Sequence, residues 1–276
     1  MNILITGAGL IGSHCARQAV DAGNKVVLFD LSPNRDYLHK VVGKDRAEVV
    51  AADMRDLPAL ISAMERHNVD TVVHRAGLIG SRVAENSYTG ATNNILGTIN
   101  VLEANTVTKI CSEHLVHSYA EQYKLDCVII RPSGVFGRGH YVGGSTVGKV
   151  MRELALSVIK GEPFTIDAKT YGPNEYVYGK DAGLALFLAC QAQNPKQRIY
   201  NAGSGVVTGP EALAQTVREL APQTDIKVIG SSGTASEKSV PLDLSTSKAE
   251  LGYTPKFPLK EALRNYMEEL WEEQRS

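Results

Sequence analysis

Apolar and polar residues alternate along the first half of the chain in a rhythm of short buried runs and longer amphipathic stretches. The short runs predict strands at Asn2–Thr6, Lys25–Asp30, Glu48–Ala51 and Val69–His74. Helical spacing covers Ile11–Asp21 and Leu57–His67. Strands that alternate with helices form βαβ units with right-handed crossovers. The pattern therefore predicts an α/β fold with a doubly wound parallel sheet.

The rhythm stops after the fourth predicted strand. Two helical stretches, Asn94–Ala104 and Thr106–Tyr123, follow each other with only Asn105 between them, and the next strand is predicted at Leu125–Arg131. Both helices should run antiparallel to the strands, so a strand is needed between them to bring the chain back. One fused helix would be about 45 Å long, whereas a strand layer is only about 17–20 Å deep. The pattern predicts that one central strand is missing here.

The second half of the chain has weaker patterns. Residues 134–174 are rich in glycine and polar residues around one predicted helix, Val147–Lys160. Further elements are predicted as a strand at Tyr176–Tyr178, a helix at Asp181–Gln193, a strand at Arg198–Asn201, and helices at Glu211–Leu220 and Leu259–Glu273. These elements predict a small C-terminal α/β lobe beside the parallel sheet.

Composition and charge exclude several classes of function. The chain has 276 residues, with 29 Lys and Arg against 30 Asp and Glu, so its net charge is −1. This balance provides no basic field for nucleic acid or for an anionic membrane surface. Hydrophobic residues make up 43% and charged residues 21%, which is typical of a globular protein. The longest apolar stretch, near Leu184–Cys190, is too short to span a membrane, and the N-terminus leads into a strand rather than a signal peptide.

The cysteines indicate a reduced, cytoplasmic compartment. The four cysteines lie far apart in the sequence, and no pair has the spacing of a redox or metal motif. Cys111, His114 and His117 cannot all share one helix face, because six residues turn a helix by about 240°. We therefore expect no metal site.

A glycine-rich turn after the first strand predicts a dinucleotide site. Gly7, Gly9 and Gly12 form a G-x-G-x-x-G pattern that follows a strand and opens a helix. Gly7 permits a tight turn, Gly9 lets a diphosphate approach the backbone, and Gly12 lets the helix pack closely on the strand. Asp30 ends the second strand, where its carboxylate can accept both hydroxyls of an adenosine ribose and would repel a 2′-phosphate. No arginine follows it directly, so we predict a Rossmann-type domain that binds NAD rather than NADP.

Further segments extend this pattern along nearly the whole chain: Ile5–Gly7, Asp53–Asp56, His74–Gly77, Asn94–Ala104, Arg131–Gly137, Tyr200–Gly205 and Glu250–Pro255. In this order they resemble the extended short-chain dehydrogenase/reductase family, the NAD-dependent epimerases and dehydratases. The resemblance implies that Asp53 contacts the adenine, that Ala76 and Gly77 line the cofactor, and that Pro132 abuts the nicotinamide. The predicted cofactor-binding residues are Gly7, Gly9, Leu10, Ile11, Gly12, Asp30, Asp53, Met54, Ala76, Gly77, Lys109 and Pro132.

The resemblance also implies a domain organisation and an assembly. We expect residues 1–137 to form the NAD-binding domain, with residues 176–205 returning to it. Residues 138–175 and 206–276 are expected to form the substrate-binding lobe. A homodimer through the two helices that flank Asn105 is implied as well.

The family's catalytic residues match this chain only in part. In the family, a Tyr-x-x-x-Lys pair and a Ser or Thr carry the chemistry, because the Tyr exchanges a proton with the substrate oxygen while the Lys lowers the Tyr pKa. Lys109 and Asn94 match the Lys and a further Asn of the catalytic set, but Asn105 stands at the Tyr position. The Ser or Thr belongs to the strand that the pattern lacks. Family comparison therefore predicts that about 35–40 residues are missing between Ala104 and Thr106.

One literal Tyr-x-x-x-Lys does occur, from Tyr176 to Lys180. It lies in a later strand-to-helix segment and not on the helix where the family has its active site. A motif counts only in its structural context, so we interpret it as a chance match.

The resemblance implies NAD-dependent hydride transfer or epimerisation on a sugar- or polyol-like alcohol, impaired here by the missing residues. Asn174 stands where a family arginine for a nucleotide diphosphate is usual, and no arginine lies between Arg218 and Arg264, which favours a smaller substrate. A nucleotide diphosphate sugar, held by Arg138 or Arg152, is the alternative substrate. A non-catalytic NAD-binding protein or a deletion product is the alternative function.

Overall fold

The computed structural model of the chain describes residues 1–77, 92–99, 101, 120–122, 124–139, 145–230 and 239–275. The chain divides into two units. The first comprises Met1–Ile130 and Gly183–Tyr200, and the second comprises Arg131–Ala182 and Asn201–Ser276. The assignment of cofactor binding and substrate binding to separate parts of the chain stays a prediction.

The first unit is built on a parallel sheet. Its strands are β1 (Asn2–Thr6), β2 (Lys25–Asp30), β3 (Glu48–Ala51) and β4 (Thr71–His74), in the order β3-β2-β1-β4. All neighbouring strands are parallel, and the register places Thr6 opposite both Phe29 and His74. The connections run through helices α1 (Leu10–Asp21), α2 (Arg35–Val41) and α3 (Leu57–Arg66).

Both faces of this sheet are buried. Ile5 of β1 packs with Cys15 of α1 on one face, and Leu4 packs with Leu60 of α3 on the other. Successive residues of a strand point to opposite faces, so a strand covered on both sides is a continuous apolar run, as β1 is. The predicted α/β fold with a doubly wound parallel sheet is confirmed.

The segment after β4 is described only in part. Residues 92–96 form a π-helical turn and residues 97–99 continue as helix, so the helical segment begins two residues before the helix predicted over 94–104. Residues 102–119, with Asn105 and Lys109, lie outside the described residues, and the missing central strand stays a prediction.

The next described strand, β5 (Ile129–Pro132), pairs with β9 (Ile199–Ala202). The amide of Ile129 donates to the carbonyl of Arg198, and the amide of Ser133 donates to that of Ala202. Both bonds advance in the same direction, so the pair is parallel. The strand begins later than the pattern predicts, because its partner β9 begins only at Ile199.

The second unit contains two small sheets. Strands β6 (Gly134–Phe136), β8 (Asn174–Tyr178) and β10 (Val207–Thr208) lie in the order β10-β8-β6, with β6 parallel and β10 antiparallel to β8. Strand β7 (Phe164–Asp167) pairs in parallel with β11 (Ile226–Ile229). The remaining helices are α4 (Thr146–Lys160), α5 (Gly179–Gln191), α6 (Pro210–Leu220), α7 (Ser245–Leu251) and α8 (Leu259–Arg275).

An aromatic cluster forms the core of the second unit. The ring centroid of Phe136 lies 5.4 Å from that of Tyr178 and 6.0 Å from that of Tyr266 on α8. Residues 134–174 thus contain β6, β7 and the first residue of β8 besides α4. The sequence did not predict β6 and β7, because such short strands are recognised only where strands and helices alternate regularly, as around β3. In the described part of the chain, no helix combines the length and the apolarity that crossing a membrane requires.

Candidate cofactor site

The three glycines of the turn between β1 and α1 have different surroundings. Gly7 has φ +83°, and a Cβ atom there would lie 2.6 Å from the amide nitrogen of Ala76. A Cβ atom at Gly12 would lie 2.0 Å from the carbonyl oxygen of Gly7. A Cβ atom at Gly9 would meet nothing within 4 Å. Two of the glycines are therefore required by the fold itself, whereas Gly9 faces open space.

The N-terminus of α1 is open to a ligand. Gly9 is its N-cap residue, no side chain of the described residues caps it, and its first turn contains no acidic residue. The first N–H groups of a helix lack intrahelical acceptors, and the helix dipole makes this end attractive to anions. Leu10 is buried and Ile11 is partly buried, so these two residues present mainly their backbone amides. The geometry fits the diphosphate of a dinucleotide.

Asp30 at the end of β2 is tied directly to this turn. Its Oδ2 atom accepts a hydrogen bond from the amide of Ala8 at 2.8 Å, and its Oδ1 atom accepts one from the amide of Ser32 at 2.9 Å. The residue is partly exposed, and each carboxylate oxygen can accept a second hydrogen bond. The two hydroxyls of a ribose could therefore bind to a carboxylate whose position the backbone already holds.

Asp53 and Met54 follow β3 but have opposite environments. The Arg55 guanidinium lies 2.5 Å from Oδ2 of Asp53 and holds the pKa of that carboxyl below its usual range through this hydrogen bond. The Met54 side chain is buried, and a Cβ atom at Gly97 would lie 2.7 Å from its Cε atom. The Asp53 carboxylate is partly exposed and can contact a ligand. The Met54 side chain is part of the core, so only the backbone of Met54 can contact a ligand.

A hydrogen-bonded chain connects β1 and β4 to the helical segment that carries Asn94. Thr6 Oγ1 lies 2.5 Å from His74 Nδ1, and His74 Nε2 lies 3.1 Å from Thr98 Oγ1. The Thr98 hydroxyl donates to the carbonyl oxygen of Asn94 at 2.7 Å. Such a bond from a threonine to the carbonyl four residues earlier competes with helical hydrogen bonding. Asn94 lies within the π-helical turn, a geometry that is frequent at functional sites.

Residues 75–77 leave β4 along the edge of the glycine turn. The amide of Arg75 donates to the carbonyl of Thr6 at 2.9 Å, Ala76 is partly buried, and Gly77 is exposed. The Nε atom of Arg75 is buried and has no hydrogen-bond partner among the described residues. Burial lowers the pKa of this guanidinium from its usual value. In the sequence, Arg75 is notable only as a departure from the leucine that is commoner in the family, and no role is predicted for it, because a lone arginine after a strand carries no sign of burial.

Pro132 and Lys109 are the remaining predicted site residues, and the structure describes only Pro132. Pro132 is partly buried at the end of β5 and belongs to the second unit, whereas the glycine turn belongs to the first. Lys109 and the helix on which it is predicted lie outside the described residues. The predicted catalytic pair of Asn94 and Lys109 is therefore placed for Asn94 alone.

The Tyr-x-x-x-Lys match has structural partners. Tyr176 is buried in the core of the second unit, and burial raises its pKa to about 12. The ammonium of Lys180 lies 2.8 Å from a carboxylate oxygen of Glu269 on α8 and also donates to Asn265. Tyr178 donates its hydroxyl to Glu269 as well. The match belongs to the packing of α8 against β8.

Comparison with known proteins places this geometry in a family. The model of the NAD dependent epimerase/dehydratase family matches residues 3–106 and 105–203. A putative UDP-glucose 4-epimerase of Methanocaldococcus jannaschii is 23% identical, over 95% of this chain and 96% of its own length. The crystal structure of Thermus thermophilus UDP-glucose 4-epimerase in complex with NAD superimposes with a TM-score of 0.79 at 23% identity, over 97% of this chain and 98% of that one. L-threonine dehydrogenase of Clostridium difficile gives a TM-score of 0.79 at 18% identity, over 99% and 98%.

The match to the family model is split at residues 105–106, where the two matched segments meet. The alignment to the M. jannaschii relative extends over 304 residues although this whole chain has 276. The relative therefore contains positions without a counterpart here. The expected cofactor, NAD, is confirmed as the cofactor of the family. Because the two matches together cover well over half of the sequence, this chain belongs to the NAD-dependent epimerase/dehydratase family.

Proposed function

We propose that this chain binds NAD at the β1–α1 turn and that its reaction, where one occurs, is hydride transfer at an alcohol carbon of a sugar-like molecule. The observation that carries the proposal is the turn itself. Gly7 and Gly12 are sterically required, Gly9 faces open space, and the N-terminus of α1 has no cap from the described side chains. This combination is what a diphosphate needs at a helix N-terminus.

Asp30 supports NAD rather than NADP. The carboxylate is held beside the turn by the amides of Ala8 and Ser32, so it cannot swing away without losing both bonds. A fixed negative charge favours the two ribose hydroxyls and opposes a 2′-phosphate.

The substrate proposal rests on the family and on the second unit. Relatives named as UDP-glucose 4-epimerases support a sugar-like alcohol. Within the second unit, a Cβ atom at Gly134 would lie 2.9 Å from Oδ1 of Asn174, so Asn174 packs against β6, and it cannot supply the guanidinium that usually binds a nucleotide diphosphate. This favours a sugar or polyol without a nucleotide, and a nucleotide diphosphate sugar is the alternative.

Catalysis needs a proton acceptor at the hydroxyl oxygen. NAD, when bound, supplies the acceptor for the hydride. By resemblance, Lys109 holds the ribose next to the nicotinamide and Asn94 belongs to the same catalytic set. The Tyr that would take the hydroxyl proton has Asn105 in its place, and an amide cannot ionise. General acid–base help is typically worth about 10²–10⁴-fold in rate, so we propose that turnover is severely impaired.

A non-catalytic NAD-binding protein is the second candidate. It is favoured by the split of the family match at residues 105–106, the place where the Tyr-bearing segment would stand. Lys180, the lysine of the chain's literal Tyr-x-x-x-Lys, also supports the non-catalytic candidate. Its ammonium is already paired with Glu269 and Asn265 on α8.

Calorimetric titration with NAD and NADP tests the cofactor proposal. We expect NAD to bind at least about tenfold more tightly than NADP, since one charge-assisted contact is worth that much. Asp30→Asn should reduce the difference to within about threefold, because it removes the charge but preserves the shape of the side chain. Asp36→Asn, at an exposed carboxylate in the first turn of α2, is the control and should change nothing. Tighter binding of NADP by the unmodified chain would refute the proposal.

A further inference from the structure

Arg75 stands at the same edge of the sheet as the glycine turn. It follows β4 directly, and the register that sets Thr6 opposite His74 brings Arg75 level with Gly7. The contact is close: a Cβ atom at Gly7 would lie 2.9 Å from the carbonyl carbon of Arg75 and 2.6 Å from the next amide nitrogen. The backbone of Arg75 therefore forms one wall of the turn.

The guanidinium of Arg75 has no anionic partner in the described part of the chain. Its Nε atom is buried and makes no hydrogen bond to any described residue. Burial lowers the pKa of the guanidinium, and no carboxylate among the described residues offsets this effect. The residue as a whole is partly exposed, so a ligand can reach it. Arginine remains charged in proteins, and a charge that is largely removed from water opposes folding unless something pairs with it.

The orientation of the strand places this cation on the side of α1. Val73 packs in the cluster that contains Ala8 and Cys15, and residues two apart in a strand share a face. Arg75 therefore leaves the sheet toward the face that α1 covers. The N-terminus of α1 carries partial positive charge and no acidic residue in its first turn. Two positive groups thus lie at the same edge of the sheet, where the described carboxylate of Asp30 already accepts the amides of Ala8 and Ser32.

We propose that Arg75 is a further cofactor-binding residue, whose guanidinium binds the diphosphate of the dinucleotide. The planar guanidinium can donate two parallel hydrogen bonds to phosphate oxygens. The diphosphate is the group that the adjacent turn is shaped to receive. The proposal rests on NAD binding at this turn and adds to it a charged contact, which makes binding depend on salt.

The test compares ligands that differ in their phosphates. NAD, ADP-ribose and adenosine are titrated calorimetrically into the unmodified chain, Arg75→Met and Arg75→Lys. We expect Arg75→Met to lower the affinity for NAD and for ADP-ribose about tenfold to a hundredfold, which corresponds to the loss of a charge-assisted hydrogen bond. Adenosine should bind unchanged. The affinity of Arg75→Lys for NAD and ADP-ribose should lie between those of the unmodified chain and Arg75→Met, because lysine retains the charge but not the planar pair of donors. Arg66→Met, at an exposed arginine in the last turn of α3, is the matched control.

Ligand-free stability provides a second readout. If the charge is unpaired, Arg75→Met should raise the Tm of the ligand-free chain by about 2–4 °C, whereas a purely structural arginine would lower it on removal. For the unmodified chain, the affinity for ADP-ribose should fall with added NaCl more steeply than for Arg75→Met. If Arg75→Met does not fold, Arg75→Lys decides: weaker binding of ADP-ribose with unchanged binding of adenosine supports the proposal, and unchanged binding of ADP-ribose overturns it.

Three results would overturn the proposal. Equal affinity of Arg75→Met and the unmodified chain for ADP-ribose would remove Arg75 from the site while leaving NAD binding intact. An equal loss for adenosine would show damage to the whole site rather than a lost phosphate contact. If the unmodified chain bound neither NAD nor ADP-ribose, the cofactor proposal itself would fall, and the role of Arg75 with it.

Discussion

Steric requirements at single residues separate the folding role of the glycine turn from its binding role. Gly7 needs a positive φ and a close approach to Ala76, and Gly12 needs a close approach to the carbonyl of Gly7. Gly9 has φ −77° and ψ −161°, which any residue can adopt, and free space beside it. A methyl group at Gly9 would therefore disturb no contact of the described chain.

Substitution of these glycines by alanine should separate the two roles. Gly9→Ala should leave the Tm of the ligand-free chain within about 2 °C, because surface changes that disturb no contact cost little. It should weaken NAD binding at least about tenfold, since the new methyl group stands where the diphosphate must approach the backbone.

Gly12→Ala should instead lower the free energy of unfolding by about 1–3 kcal/mol or more, since its methyl group collides with backbone. Chemical denaturation and calorimetry on both variants are the measurements. If Gly9→Ala bound NAD as the unmodified chain does, the turn would not be the diphosphate site.

At the scale of elements, Glu175 on β8 connects parts of the second unit that are remote in sequence. Its Oε1 atom accepts from the amide of Gly205 at 2.8 Å, and its Oε2 atom accepts from the amide of Leu242 at 2.6 Å. A Cβ atom at Gly203 would lie 1.8 Å from Oε1. This buried carboxylate therefore determines where the segments after β9 and before α7 lie.

Glu175→Gln should destabilise the second unit. Glutamine has one side-chain oxygen where glutamate has two, so one of the two backbone amides would face the NH2 group of the new side chain. A buried donor without an acceptor lowers the free energy of unfolding by about 1–3 kcal/mol. Urea denaturation should show this loss, while Glu162→Gln, at an exposed glutamate, should be neutral. An unchanged midpoint for Glu175→Gln would mean that water replaces the lost acceptor.

At the scale of the whole molecule, two observations bear on the proposal that the chain binds the family's cofactor without the family's residues for proton transfer. The family match breaks at residues 105–106, and the strand–helix rhythm breaks at the same place. Two kinds of observation, one from comparison and one from periodicity, agree on the position. We therefore expect NAD binding and turnover to be separable in this protein.

Insertion of a strand-and-Tyr segment of the family type between Ala104 and Thr106 tests this separation. With sugars, polyols or nucleotide sugars as substrates, the unmodified chain should reduce NAD to NADH at least about 10²-fold more slowly than the chain with the insertion. The reason is that Asn105, which cannot ionise, stands at the position of the family's Tyr. The same insertion with Phe in place of its Tyr should remain slow. Comparable turnover by the unmodified chain, with Tyr176→Phe leaving it intact, would contradict our account of the catalytic residues.

Local patterns in the sequence were sufficient for β1, β2 and β3, for the glycine turn and for the position of Asp30. These features depend on neighbours along the chain: a run of apolar residues buried on both sides, a turn that only glycine can make, and an acidic residue at a strand end. The bounds of β1, β2 and β3 agree with the prediction residue for residue. The same patterns did not predict α2, β6, β7, β10, β11 or α7. The four-residue β3 was predicted because it fits the alternation of strands and helices in the first half, whereas the short strands of the second unit lie where that alternation has ended.

Only the tertiary structure decided which polar groups are partnered. Glu175 finds its amides 30 and 67 residues away, and Met54 packs against Gly97 from another segment. The burial of the Arg75 Nε atom, and its lack of a hydrogen-bond partner among the described residues, likewise depend on the fold. A residue's type and spacing state what it can bind, but burial and the absence of a partner depend on segments that the chain brings together only when it folds.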